Sequence, residues 1–197
     1  YGWELLVARE GMTRVMAGHA TTALTLLSGA VDEFVLRHEP GWLPADGVAK
    51  LLADGIAPET GEERLRDLWS RARRADQETG YTRYGPHRGD LALILNGTDA
   101  RQFASQGQAR TIVLALRFAE VDVIEAATGE PPILLLDDVF GELDVKRARQ
   151  CVRLVARRGV QALITATDAT PIEAELPIAA RFVVHEGAVR RGAGFPG

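Results

Sequence analysis

Two adjacent carboxylates, Asp137 and Asp138, follow the apolar run Ile133-Leu134-Leu135-Leu136. A short, dense, non-alternating apolar run is the pattern of a strand buried on both faces, and ligands of open α/β sheets gather outside the carboxyl ends of such strands. Spare negative charge is costly there unless it holds something. Phosphoryl-transfer sites use such a pair by division of labour: the first aspartate holds a magnesium ion through water, and the second orients or deprotonates an attacking water. The competing reading is that the two only cap the turn that follows.

Two further clusters flank this one. Gly141-Glu142-Leu143-Asp144 follows at once, and Phe103-Ala104-Ser105-Gln106-Gly107-Gln108 lies upstream at the start of a helical pattern. In the upstream segment a hydroxyl, a residue without a side chain and the free amides of a helix amino terminus could converge on phosphate. Ser105 as a plain helix cap is the bland alternative. Downstream, Leu163-Ile164-Thr165-Ala166-Thr167-Asp168 brings hydroxyls and a carboxylate to the end of the next apolar run. Polar clusters at two strand ends and one helix start together favour a phosphate-handling site over coincidence.

The elements that must position these residues follow from periodicity. From Trp3 to about His38, Met12, Met16, His19, Ala23, Leu26, Leu27, Ala30 and Phe34 recur at three-and-four spacing, which predicts a long amphipathic helix. Gly11, Gly18 and Gly29 weaken it enough to allow a break. A short helix capped by Asp46 and a second long helix over Glu62–Thr79 make the first 80 residues almost wholly helical. The pattern then changes. Leu91–Leu95 with Asn96-Gly97 predicts a strand and tight turn, with a hairpin partner over Arg101–Ala104. A helix over Gly107–Ala127, strands at Ile133–Leu136, Val160–Ala166 and Arg181–His185, and a helix over Val145–Arg158 complete an α/β pattern with a parallel crossover.

Bulk properties narrow the classes. The 197 residues are 46% hydrophobic and 25% charged, enough for one globular core, or for one core with a small helical appendage. No apolar run approaches the roughly 20 residues of a membrane span, so a soluble, cytoplasmic protein is expected. The one cysteine, Cys151, excludes an internal disulfide and reads as a buried helical thiol. A net charge of −4 neither advertises nor excludes nucleic acid. Arginine clusters at 71, 73 and 74, at 153, 157 and 158, and at 190 and 191 permit a basic face, although such runs are usually solvated helix surface.

The order of signature loop, acidic strand end, Glu-Leu-Asp turn and strand-end threonines resembles the heads of ABC-type ATPases. Within them, Gly85-Pro86-His87-Arg88-Gly89-Asp90-Leu91 is similar to the Gly-Pro-His-Arg-Asp-Asp-Leu segment of the RecF family, with glycine at one aspartate position. The resemblance covers about Glu78 to Asp168 and implies a helical arm over residues 1–80 with an α/β ATPase lobe over 81–197. It implies ATP and Mg2+ as cofactors, with Asp137 at the metal site and Asp138 at the catalytic position, where most ABC enzymes carry glutamate. Ser105, Gly107 and Gln108 match the signature loop, Glu142 and Asp144 the loop that crosses a dimer interface, and Thr167 a position that senses the terminal phosphate in transporters.

No Gly-x-x-x-x-Gly-Lys-Ser/Thr stretch occurs anywhere in the chain. In RecF-like proteins that element lies in an amino-terminal lobe, and this chain reads as starting inside the arm. The resemblance therefore implies an ATP-dependent homodimer on single-stranded DNA and duplex junctions, slow hydrolysis, a role in recombinase loading and the SOS response, and mediator partners of the RecO and RecR type. This chain alone is expected to be inactive. A head of the SMC kind and a non-catalytic interaction lobe remain the competing readings. His87 and Arg88 either approach phosphate or DNA, or simply fix the path between arm and head.

Overall fold

The computed structural model describes residues 2–41, 58–140, 143–167, 170–173, 175 and 178–192. They form an α/β chain of two compact units, Tyr1–Glu130 and Pro131–Gly197. The expected helix around Asp46 lies outside the described residues.

The first unit is built on two long helices that pack side by side, α1 (Gly2–Ser28) and α4 (Gln106–Thr128). Ala20 and Ala23 on α1, and Ala115 and Ala119 on α4, are all fully buried. Small side chains at these positions let two backbones approach, and Leu27, Ile112 and Phe118 fill the volume around them. Helix α1 is continuous through Gly11 and Gly18, so the break these glycines allow does not occur there. Met12 and Leu26 of the expected apolar stripe are exposed, Ala23 and Leu27 are buried as expected, and the buried face also takes in Trp3, Leu6, Thr13, Ala20 and Leu24.

Helix α1 also stops ten residues earlier than predicted. Gly29, at φ +67°, ends it, with the Gly29 N–H donating to the Thr25 carbonyl. Strand β1 (Phe34–Glu39) follows, with Phe34, Leu36 and His38 inward and Val35 and Arg37 outward. It pairs antiparallel with β2 (Asp90–Leu95), Phe34 opposite Leu95 and Glu39 opposite Asp90. The hairpin after β2 turns on Asn96 and Gly97, both at positive φ, as a two-residue turn between right-twisted strands requires. Its partner is β3 (Thr98–Asp99), directly after the turn. The predicted partner, Arg101–Ala104, forms instead the short helix α3 (Ala100–Phe103), because Asp99 caps it by accepting from the Arg101 N–H.

Helix α2 (Pro58–Thr79) packs on the start of α1 around Trp3, Leu6 and Leu65, with Trp69 and Tyr84 against them. The approach is close: a Cβ at Gly61 would fall 2.4 Å from the Trp3 ring. Because β1 precedes residue 80 and pairs with β2 beyond it, the expected division near residue 80 falls inside the first unit.

In the second unit β4 (Leu134–Leu136) runs parallel to β5 (Ala162–Ile164), with Leu136 opposite Ile164. They are joined through α5 (Val145–Arg158), which buries Ala148, Cys151, Val152, Leu154 and Val155 and ends at Gly159, φ +62°. Burial pushes the Cys151 thiol up to about 12, so it stays protonated and behaves as a small apolar side chain. The expectation that β4 is covered on both faces is not met among the described residues: Leu134 and Leu136 are buried, whereas Leu135 and its neighbour Leu163 are exposed. A short helix α6 (Thr170–Glu173) and the hairpin of β6 (Phe182–His185) and β7 (Ala188–Arg191) complete the unit.

Candidate functional site

The acidic strand end is organised by one hydroxyl. Parallel pairing places Leu136 opposite Ile164, so the next residues, Asp137 and Thr165, emerge side by side. The Thr165 N–H donates to the Leu136 carbonyl at 3.0 Å. Its side-chain hydroxyl donates to Asp137 Oδ1 at 2.5 Å and accepts the Asp138 backbone N–H at 2.9 Å. Asp138 sits at φ +45°, a left-handed conformation that aspartate tolerates better than most residues but still at a cost. One threonine thus fixes both the carboxylate of Asp137 and the backbone from which Asp138 projects. Strained backbone held by specific hydrogen bonds is common where a side chain must be aimed.

Thr165 is the residue that sequence reasoning passed over in favour of Thr167. Thr167 is exposed two residues further on and has no hydrogen bond to either aspartate among the described residues. The parallel register was the signal that could have chosen between them. Asp144 is the N-cap of α5, its carboxylate accepting from the Arg147 N–H at 2.9 Å and lying 3.3 Å from the Arg147 guanidinium. Gly141, Glu142 and Asp168 lie outside the described residues.

The upstream cluster belongs to the first unit. Ser105 caps α4 in a reciprocal box: its Oγ accepts the Gln108 N–H at 3.3 Å, and its own N–H donates to Gln108 Oε1 at 2.9 Å. Gly107 lies in the first turn, where its carbonyl accepts from the Thr111 hydroxyl at 2.6 Å. The cap leaves the Ser105 hydroxyl its own proton to donate, and Ser105 is exposed while Gly107 and Gln108 are half-buried. Ser105, Gly107 and Gln108 therefore share one helix start, and Asp137, Asp138 and Thr165 share one strand end.

The Gly85–Leu91 segment forms a 3-10 turn at Pro86–Arg88 that leads into β2. His87 Nε2 donates to the Thr82 carbonyl at 3.0 Å, and Arg88 lies over the Tyr81 ring at 5.4 Å. Arg9 of α1 donates to the Pro86 carbonyl. These contacts fix the path between α2 and β2, the structural alternative for His87 and Arg88. Asp90 receives both Arg101 nitrogens and the Leu91 N–H, and the Arg101 fork holds its carboxyl down to about 2.

His38, expected on a helical face, is a buried strand residue 5% exposed. Neither ring nitrogen has a hydrogen-bond partner among the described residues, and Nδ1 lies 3.6 Å from Glu10 Oε2. Burial lowers its pKa from the ordinary 6.5 against the pull of Glu10, and Arg9 adds to the lowering. A lowered folded value means that the unfolded chain takes the proton first as pH drops. The stability from neutral His38 is therefore full above 6.5 and lost as pH falls through the lower folded value. Thermal unfolding across this window should show a declining Tm, and His38→Leu should flatten that part of the decline. An unchanged profile would place the titration elsewhere.

Among the described residues, three of the eight clustered arginines are neutralised by carboxylates. Arg71 pairs with Asp67 at 2.7 Å, Arg74 with Glu78 at 3.2 Å, and Arg153 holds Glu175 with two nitrogens at 2.9 and 3.1 Å. Among the described residues no three His, Cys, Asp or Glu side chains gather as a metal cage. A cation at Asp137 would then need oxygens from phosphate and water, the usual way magnesium is held beside nucleotides. No helix among the described residues is long and apolar enough to cross a membrane.

No protein-family model matches the chain. The chain is 37% identical over 177 residues to the DNA replication and repair protein RecF of Anaeromyxobacter sp. (strain Fw109-5), covering 87% of this chain and 45% of that protein. It is 48% identical over 195 residues to the RecF of Anaeromyxobacter sp. (strain K), covering 95% and 49%. A solved structure of the recombination mediator protein RecF-ATPrS in the RecFOR pathway superimposes with a TM-score of 0.76 at 27% identity, covering 98% of this chain and 48% of that one. The chain spans about half the length of the curated relatives it matches.

Proposed function

Because the chain belongs to the RecF family and corresponds to a carboxy-terminal portion of it, with the α/β fold of an ABC-type ATPase head, we propose that it supplies half of an ATP site in a DNA-binding dimer. The observation that carries this reading is the Thr165 hydroxyl joining Asp137 and Asp138 at the end of β4.

Asp137 would hold the magnesium ion through water, by the carboxylate oxygen that Thr165 does not engage. Magnesium, when bound, neutralises charge on the phosphate oxygens. Asp138 orients the attacking water and accepts its proton, its reach set by the left-handed backbone. Being one methylene shorter than glutamate, it makes for slow turnover. The lysine-bearing phosphate loop must come from sequence other than these 197 residues, so the chain by itself hydrolyses no ATP. Ser105 and Gly107 serve the nucleotide of a second subunit, with Glu142 and Asp144 near the crossing loop and Thr167 beyond the strand end. The complete protein is then a weak, DNA-dependent cytoplasmic ATPase that closes on single strands and duplex junctions. It loads recombinase with RecO- and RecR-type mediators and so feeds the SOS response.

The test uses the complete protein, phosphate loop included, and reads ATP-dependent dimerisation by sedimentation. Ser105→Arg obstructs the opposing nucleotide. Ser105→Asp keeps the helix cap, since aspartate caps as well as serine, but sets a negative charge against phosphate. Both should weaken the dimer by about tenfold or more. A dimer unaffected by Ser105→Asp would remove the signature loop from the interface.

A further inference from the structure

An open groove of about 670 Å³ runs along α2, lined among others by Arg66, Trp69, Ser70, Arg73, Gln77 and Tyr81. Four of these, at positions 66, 70, 73 and 77, recur at helical spacing and so form one ladder of cationic and hydrogen-bonding groups. Arg73 differs from its neighbours. Arg66, Arg71 and Arg74 are matched by Glu62, Asp67 and Glu78 on their own helix, whereas Arg73 has no ion pair among the described residues and lines the groove. Trp69 brings a buried indole Nε1 with no hydrogen-bond acceptor among the described residues. At the end of the ladder Tyr81 is half exposed, and Arg83 and Arg88 lie over its ring at 6.0 and 5.4 Å. The lining also holds one carboxylate, Asp76, which accepts the Arg83 backbone N–H at 3.1 Å.

Arg73, and at the Tyr81 end Arg83 and Arg88, have no ion pair among the described residues; arginines so placed meet phosphates, and the exposed aromatic ring beside them meets a planar base. An acidic peptide would use the cations but leave the Tyr81 ring idle, and a small ligand would not need a groove open along its length. We propose that this groove binds a single nucleic-acid strand, with Arg73 on a phosphate and Tyr81 stacked on a base. The proposal rests on the DNA-binding reading for the class of ligand, and assigns to it residues of α2 and the segment after it, none of which the proposed ATP site uses.

The test is fluorescence anisotropy of the full chain with labelled oligothymidylate of roughly 15 nucleotides, without ATP. Arg73→Ala should weaken binding about fivefold and reduce the salt slope by about 0.7, the share of one phosphate contact on a single strand. Tyr81→Ala should weaken it about tenfold with the salt slope unchanged. Arg74→Ala, which removes an already matched charge, should stay within about twofold. Three equal affinities in folded variants, or displacement of the strand by polyglutamate with Tyr81→Ala without effect, would overturn the groove as a nucleic-acid site. The groove fails alone if these variants are silent while Ser105→Asp abolishes dimerisation of the complete protein. The ATP reading fails alone if the reverse is seen.

Discussion

Replacing Phe118 by alanine is expected to destabilise the first unit by about 3–5 kcal/mol. The ring is fully buried on the helix that packs along α1. Deleting it removes its transfer free energy and leaves a cavity, and the second term depends on whether the surroundings can collapse. Here they have little slack. Ala20, Ala23, Ala115 and Ala119 already have no exposed surface, so the two backbones are as close as small residues allow. Domains are stable by only about 5–15 kcal/mol, so a loss of this size consumes much of the margin. Urea unfolding should show a lowered midpoint with unchanged slope. Val113→Ala on the same helix is the comparison, because Val113 is 54% exposed and its loss should stay near 0.5 kcal/mol. Equal midpoints for the two variants would contradict the packing described.

The ends of α4 and α5 were legible in the sequence, where a capping side chain and a glycine mark each. Ser105 with Gln108 announces α4, Asp144 announces α5, and Gly129 and Gly159 stop them in left-handed conformations. The end of α1 was misjudged because Ala30 and Phe34 continue its three-and-four spacing, while Phe34-Val35-Leu36-Arg37-His38-Glu39, three apolar residues and then three polar ones, alternates only in burial; Gly29 decides for the strand. The hairpin was misjudged by length. Asn96-Gly97 is a two-residue turn, so the partner strand has to begin at Thr98, and Asp99 then ends it by capping α3. A dense run such as Ile133–Leu136 states that its residues are apolar, not which neighbours cover them, and Leu135 remains exposed. The candidate site was legible as chemistry and incomplete as geometry. Two aspartates at a strand end are visible in one dimension, but the hydroxyl that joins them comes 27 and 28 residues later. Only the pairing of β4 with β5 singles out Thr165 from Thr167.

Thr165→Val should therefore reduce ATP hydrolysis by the complete protein by about 100-fold, the scale of a misaimed catalytic group. Valine keeps the shape and β-branching of threonine, so strand β5 and its register are retained. What disappears is the donor to Asp137 Oδ1 and the acceptor of the Asp138 N–H. Without that acceptor nothing of Thr165 offsets the cost of φ +45° at Asp138, and its carboxylate is free to leave the place from which it would orient the attacking water. Stability should fall by only about 1 kcal/mol, because the site is exposed and water replaces the lost bonds. The loss should appear in kcat rather than KM, since the phosphate cradle is supplied elsewhere, and Thr165→Ser, which keeps the hydroxyl, should restore most of the rate. Combining Thr165→Val with Asp138→Asn should cost little more than Asp138→Asn alone, because a positioning residue loses its role once the group it positions is gone. Additive losses in that cycle would mean that Thr165 acts on the reaction independently of Asp138, and a full rate in Thr165→Val would show that the strand end is held without it.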